Sequence, residues 1–133
     1  MFFEKKKEGD LIKVSALLVH AAKIDQNYSS QEQKIIKQTL GEFGADDENL
    51  EEILKNGEKI ENDSVQILDF TREIKSMNQE NKVKIIETLW RIIYSNNEAD
   101  MYETNLMRRL SGLLYIDSKL MGDTKKKIEK EIL

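Results

Sequence analysis

A helical hairpin pattern occurs twice in this chain, and it constrains the fold more than any other feature. Residues 17–40 read as a helix, a short polar turn and a second helix, and residues 89–111 repeat that pattern 71 places later. Each turn ends in a small polar residue that precedes a Glu by three places: Ser29 with Glu32, then Asp100 with Glu103. This spacing is typical of a capping box at a helix start. The repeat predicts two similar hairpins that bury their apolar faces against each other.

The rest of the chain also favours an all-α fold, a compact bundle of about seven helices. Its 133 residues are enough for one domain, 1–133, with its own core. The chain has no Pro, so nothing interrupts the helical periods. The apolar spacing predicts helices over residues 11–24, 29–44, 47–57, 64–77, 79–94, 101–114 and from 123 onward.

Several boundaries follow from local signals. Gly44 suits a left-handed end for the second helix, and Gly57 is interpreted as the end of the third, which leaves residues 58–63 as a connector. Asp123 is the predicted cap of the last helix. The fifth helix is the most apolar and is predicted to be central and paired with the first helix, with Trp90 in the core. Residues 1–9 and 123–133 are candidates for loosely attached ends.

The composition excludes several classes of function. Without Cys, the chain has no disulfide, thiolate metal site or cysteine nucleophile. A net charge of −4 argues against a nucleic-acid surface. No apolar run approaches the ~20 residues that span a bilayer, and the start lacks a signal peptide, so we expect a cytoplasmic protein that does not span a membrane. No phosphate loop or catalytic motif is present, which favours a non-enzymatic role. His20 is expected to be partly buried and satisfied by a neighbour.

The two turns are rich in side-chain oxygens at alternate positions. Asp25, Asn27 and Ser29 alternate in the first turn, and the second has the same spacing at Asn96, Glu98 and Asp100. Hard cations such as Ca²⁺ bind where several oxygens converge from a bent backbone. An EF-hand is excluded, because its required Gly and bidentate Glu are missing from both copies. Turn formation and helix capping explain the same residues without a metal, so both interpretations stay open.

The two turns and their helices resemble the TerB-like family of tellurite-resistance proteins. Its fold also forms the N-terminal domain of some membrane-anchored DnaJ-type co-chaperones. The family pattern is an Ala-Asp-Gly step, then an apolar residue, a small polar residue and a Glu. Residues 22–32 are the first copy here and residues 95–103 the second, and the resemblance extends over roughly residues 11–121. Asn96 stands where the family has its second Asp.

The resemblance implies an all-α bundle with a weak divalent-cation site for Ca²⁺, Mg²⁺, Mn²⁺ or Zn²⁺. The ligands it implies are Asp25, Glu32 and Glu103, with Asn96, Asn27 and Asp100 in secondary positions. It further implies a non-enzymatic scaffold or adaptor with an unidentified protein partner, in a tellurite-type stress response. The alternative is a metal-free protein–protein interaction domain like that of the co-chaperones. Homodimerisation stays open.

Overall fold

Seven α-helices form the part of the chain that the computed structural model describes. This part comprises residues 8–24, 28–64, 66–95 and 101–132, without the side chains of residues 8 and 101–103. The helices are α1 (Glu8–Lys23), α2 (Ser30–Glu42), α3 (Asp47–Asp63), α4 (Leu68–Lys75), α5 (Gln79–Tyr94), α6 (Met101–Leu113) and α7 (Ser118–Ile132). These residues contain no strand, which confirms the all-α prediction. Within the described ranges, no helix has both the length and the hydropathy of a membrane span.

The centre of the bundle is shared by α1 and α5. Between Leu11 and Ala22, α1 is buried almost continuously, and it packs against α2, α3, α4 and α5. Small side chains such as Ala16 allow these neighbours to come close. The sequence predicted α5 as the central helix, paired with α1. Its apolar face and Trp90 are buried, and α5 packs mainly against α1, α2 and α7, as that pairing predicted.

The third helix continues to Asp63, so the prediction that it ends at Gly57 was wrong. Ile53, Gly57 and Ile60 lie on one face of the continuous helix, with Ile53 fully inside the core and Ile60 packed against it. A Cβ at Gly57 would clash with the Ser15 side chain of α1, so this glycine allows α3 to pack closely on α1 and does not end the helix. The connector is therefore shorter than predicted. The fourth helix also begins later, at Leu68, whose side chain is exposed.

The last helix begins at Ser118, several residues before the predicted start. Asp117 is the residue that caps it, because its Oδ1 accepts the Leu120 N–H at 2.8 Å. Asp123, the predicted cap, lies inside the helix and pairs with Lys119 at 3.3 Å. Residues 123–132, a candidate loose end in the sequence, pack against α5, and Ile128 is fully buried there. Residues 1–7 lie outside the described part.

The structural repeat is larger than the predicted hairpins. A shift of 71 places takes α1 onto α5 and α2 onto α6 residue for residue, and it also takes the start of α3 onto the start of α7. We call α1–α3 the first unit and α5–α7 the second unit, with α4 between them. Equivalent backbone bonds end the second helix of each unit. Ala45 N donates to Leu40 O at 3.1 Å, and Ile116 N donates to Ser111 O at 2.9 Å.

Candidate functional site at the two turns

The first turn enters α2 through the predicted capping box. Ser29 Oγ accepts the Glu32 N–H at 3.2 Å, and Glu32 Oε1 accepts the Ser29 N–H at 2.8 Å. Glu32 is only 1% exposed, so its carboxylate lies inside the protein. Two N–H groups at the helix start that lack helical partners are thereby satisfied.

Polar contacts to α3 hold both sides of the first turn. At the end of α1, His20 Nδ1 lies 3.2 Å from Glu61 Oε2, and Lys23 Nζ donates to Glu61 Oε1 at 2.7 Å. After the turn, the Tyr28 hydroxyl donates to Glu58 Oε2 at 2.7 Å. Burial, and then the Glu58 carboxylate, raise the pKa of Tyr28 well above its usual value. The prediction that a neighbour satisfies a partly buried His20 is confirmed.

The helix before the second turn is held in a similar way by α7. Arg91, the equivalent of His20, binds Glu131 through Nε at 2.7 Å and Nη2 at 3.0 Å. This hydrogen bonding lowers the pKa of Glu131 and raises that of Arg91. The Tyr94 hydroxyl donates to Glu129 Oε2 at 3.1 Å, and burial with this contact raises the pKa of Tyr94 to about 12. Each unit therefore fixes the end of its first helix against its third.

Of the six predicted cation ligands, only Glu32 has a described side chain. Asp25, Asn27, Asn96 and Asp100 lie outside the described residues, and Glu103 is placed in α6 by its backbone only. Within the described ranges, no three His, Cys, Asp or Glu side chains converge as a metal site would require. Glu32 itself fits a cap, because Oε1 already accepts a backbone hydrogen.

Two groups of polar contacts were not found from the sequence. Glu58 and Glu61 were placed in a connector, whereas they belong to α3 and hold the first turn. The signal that could have found them is the apolar spacing from Ile53 through Ile60, which continues across Gly57. At the far end of α6, the buried Lys82 Nζ donates to Leu114 O at 2.9 Å. A lysine on an apolar face gives no sequence signal for that bond.

A comparison with protein families shows which family has this arrangement of helices. A family model described as "Tellurite resistance protein TerB" matches residues 11–125. The chain belongs to the TerB family. The TerB match runs from the first turn of α1 into the middle of α7, so it includes both three-helix units. Neither the comparison with curated proteins nor that with solved structures gives a match.

The capping box at the first turn predicts a specific loss of stability. We expect Ser29→Ala to lower the free energy of unfolding by about 1 kcal/mol, because the Glu32 N–H loses its side-chain acceptor. Urea unfolding followed by circular dichroism measures the change. Ser30→Ala is the matched control, since Ser30 is exposed in the first turn of α2. Equal losses in the two variants would show that the cap is not the cause.

Proposed function

We propose that this TerB protein is a non-catalytic adaptor module that binds a protein partner and, at its two turns, a divalent cation with low affinity. Asp25, Glu32 and Glu103 are the proposed direct ligands, with Asn96, Asn27 and Asp100 in secondary positions. The proposed cation is Ca²⁺, Mg²⁺, Mn²⁺ or Zn²⁺, all of which bind oxygen donors. The proposed setting is a tellurite-type stress response in the cytoplasm.

The observation that carries this proposal is the fixed position of the residues around the turns. Tyr28 and Glu32 hold the entry to α2, and Glu58 and Glu61 hold the first turn from α3. In the second unit, Arg91 and Tyr94 are held by α7. Cation sites in turns depend on anchored ends, because the ligands then converge without a large entropy loss. An amide at Asn96 in place of a carboxylate removes charge, which supports low rather than high affinity.

A cation titration tests this proposal. Chelator-treated, ¹⁵N-labelled protein is titrated with each of the four cations, beside Asp25→Ala/Glu103→Ala. We expect resonance changes confined to residues 25–32 and 96–103, with saturation at about millimolar cation, and no change in the double variant. Glu52→Ala/Asp63→Ala is the charge-matched control, because both residues are exposed on α3. It should respond like the wild type. If all four cations leave both turns unperturbed at millimolar concentration, the proposed cation site is excluded.

A metal-free protein–protein interaction domain is the second candidate. The observation that favours it concerns Glu32, whose buried carboxylate already accepts the Ser29 N–H in the capping box. In that case the turns are structural, and the function is protein binding without a cation. Partner capture with the wild-type protein as bait distinguishes the two candidates. A partner retained equally in chelator and in cation supports the metal-free domain, whereas release by chelator supports a cation-dependent adaptor.

A further inference from the structure

A groove between α6 and α7 has the composition of a small-ligand site. Its volume is about 380 Å³, within the usual range for such sites. Trp90 of α5 lines it together with Met107 and Met121, and all three side chains are almost completely buried. Arg108 and Lys125 supply positive charge, and three hydroxyls also line the groove, those of Thr104, Ser111 and Ser118. Among the described residues, no carboxylate lines it.

Comparison with the first unit shows what is missing from this groove. The equivalent groove between α2 and α3 is lined by Gln33, Glu51 and Leu54, which are the counterparts of Thr104, Gly122 and Lys125. There, Lys37 of α2 forms an ion pair with Glu51 of α3.

In the second unit the cation of that pair is kept and the carboxylate is lost. Arg108 is the counterpart of Lys37, and Gly122 stands in the place of Glu51. A Cβ added at Gly122 would meet no atom within 4 Å, so the position is open. Among the described residues, neither Arg108 nor Lys125 forms an ion pair with a carboxylate. The groove therefore combines two cationic side chains with no carboxylate among the described residues that line it.

Trp90 adds a buried donor without an acceptor. It is 4% exposed, and its Nε1 atom is buried with no hydrogen-bond partner among the described residues. A buried indole N–H ordinarily has an acceptor, because leaving it unpaired costs free energy. Lys125 Nζ lies 5.5 Å from the centroid of the same ring. Trp90 Nε1, Arg108 and Lys125 are thus three donor groups around the groove with no carboxylate partner among the described residues.

We propose that this groove binds an organic anion, a carboxylate or phosphate group on a short apolar body. The anionic group lies beside Arg108 and Lys125, in the place that Glu51 has in the first unit. The apolar body contacts Met107, Met121 and the Trp90 ring, and a ligand oxygen that reaches the indole satisfies Nε1. This site is distinct from the two turns and needs no cation.

Trp90 is the single tryptophan of the chain, so its fluorescence reports directly on the groove. The probes are octanoate and octyl phosphate, which carry the two anionic groups on the same apolar body. Octanol and inorganic phosphate serve as controls, because each keeps only one half of the proposed ligand. We expect a saturable change in emission with at least one of the two octyl anions, and binding at least about tenfold weaker with either control. The anion that binds tighter identifies the head group.

Gly122→Glu is the decisive variant, because it restores the carboxylate that the first unit has at Glu51. We expect it to pair with Arg108 and abolish binding. Gly41→Glu adds the same charge at an equally open position of α2, outside the groove, and should bind like the wild type. Arg108→Gln should weaken binding about tenfold or more. Thermal unfolding of each variant confirms that it is folded.

Three results would overturn the proposal. The first is a wild-type protein whose emission shows no saturable change with either octyl anion at millimolar concentration. The second is octanol, or inorganic phosphate, binding as tightly as the octyl anions. The third is Gly122→Glu binding as tightly as Gly41→Glu.

Discussion

Replacing Gly57 by Ala should lower the free energy of unfolding by about 2 kcal/mol, although Ala is the better helix former. Gly57 lies in the middle of α3 and faces α1. A Cβ at this position would lie 2.7 Å from Ser15 Cβ and 3.1 Å from Ala16 N, and closer still to Ser15 Oγ. The backbone of α1 cannot move away without disturbing the core. The steric cost therefore exceeds the gain in helix propensity of about 1 kcal/mol.

Two other helical glycines provide matched controls for this variant. Gly41 and Gly112 occupy equivalent positions in α2 and α6, and a Cβ at either one meets no atom within 4 Å. Gly41→Ala and Gly112→Ala should therefore raise the free energy of unfolding by about 0.5–1 kcal/mol. Urea unfolding of all three variants measures the contrast. If Gly57→Ala stabilises the protein like the controls, the close approach of α1 and α3 is not what selects glycine.

Ser15→Gly in the Gly57→Ala background separates the clash from other causes. It removes the two Ser15 atoms nearest to the added methyl group and leaves Ala16 N, at 3.1 Å, as the remaining close neighbour. Ser15 Oγ is also buried without a hydrogen-bond partner in the described part of the chain, so its removal breaks no such bond there. We expect the double variant to recover part of the stability that Gly57→Ala loses. Additive losses in the two substitutions would contradict a direct contact.

The same glycine marks the limit of what the sequence predicts about the fold. Helices α5 and α6 match their predictions closely, because Asn78 caps α5 locally and the apolar spacing is continuous. At Gly57 the local signal is ambiguous: a glycine ends many helices, and it also permits close packing inside others. The structure decides between the two, because the Ser15 side chain of α1 lies against Gly57. Nothing in the sequence around Gly57 indicates that Ser15 is its neighbour.

The candidate sites, too, were predictable only where their residues are close together in the sequence. The capping box at Ser29 and Glu32 is local in sequence and was predicted with its correct bonds. The burial of Glu32 depends on the packing around α2, so no spacing rule reveals it. The groove at Arg108 becomes visible only when the two units are compared in space, because its defining feature is the loss of a carboxylate at Gly122. The sequence of the second unit alone does not show that a carboxylate is missing at Gly122.

A second comparison between the units concerns the left-handed residue after α2 and after α6. Gly44 has a φ of 102°, and its equivalent, Tyr115, has a φ of 57°. Side chains other than Gly are strained in this region by about 1–2 kcal/mol. We therefore expect Gly44→Ala to lower the free energy of unfolding by about 1–2 kcal/mol.

At Tyr115 the strain is opposed by contacts of the ring. Tyr115 is exposed, yet Lys75 Nζ and Lys82 Nζ lie 5.6 Å and 5.9 Å from the ring centroid. Such contacts contribute about 0.5–1 kcal/mol at exposed sites. Tyr115→Ala keeps the strained backbone and removes the ring, so it should destabilise the protein by about that amount. Tyr115→Gly removes both the ring and the strain.

The difference between these two variants isolates the contribution of the backbone. Tyr115→Gly should be more stable than Tyr115→Ala by about 1 kcal/mol, whereas at Gly112, inside α6, Ala should be the more stable residue by a similar amount. Differential scanning calorimetry of both variants, with Gly112→Ala as the helical reference, measures this reversal of sign. Equal stabilities of Tyr115→Ala and Tyr115→Gly would mean that α6 ends differently once the ring is gone. The reversal would establish that the second unit keeps a strained tyrosine where the first unit keeps an unstrained glycine.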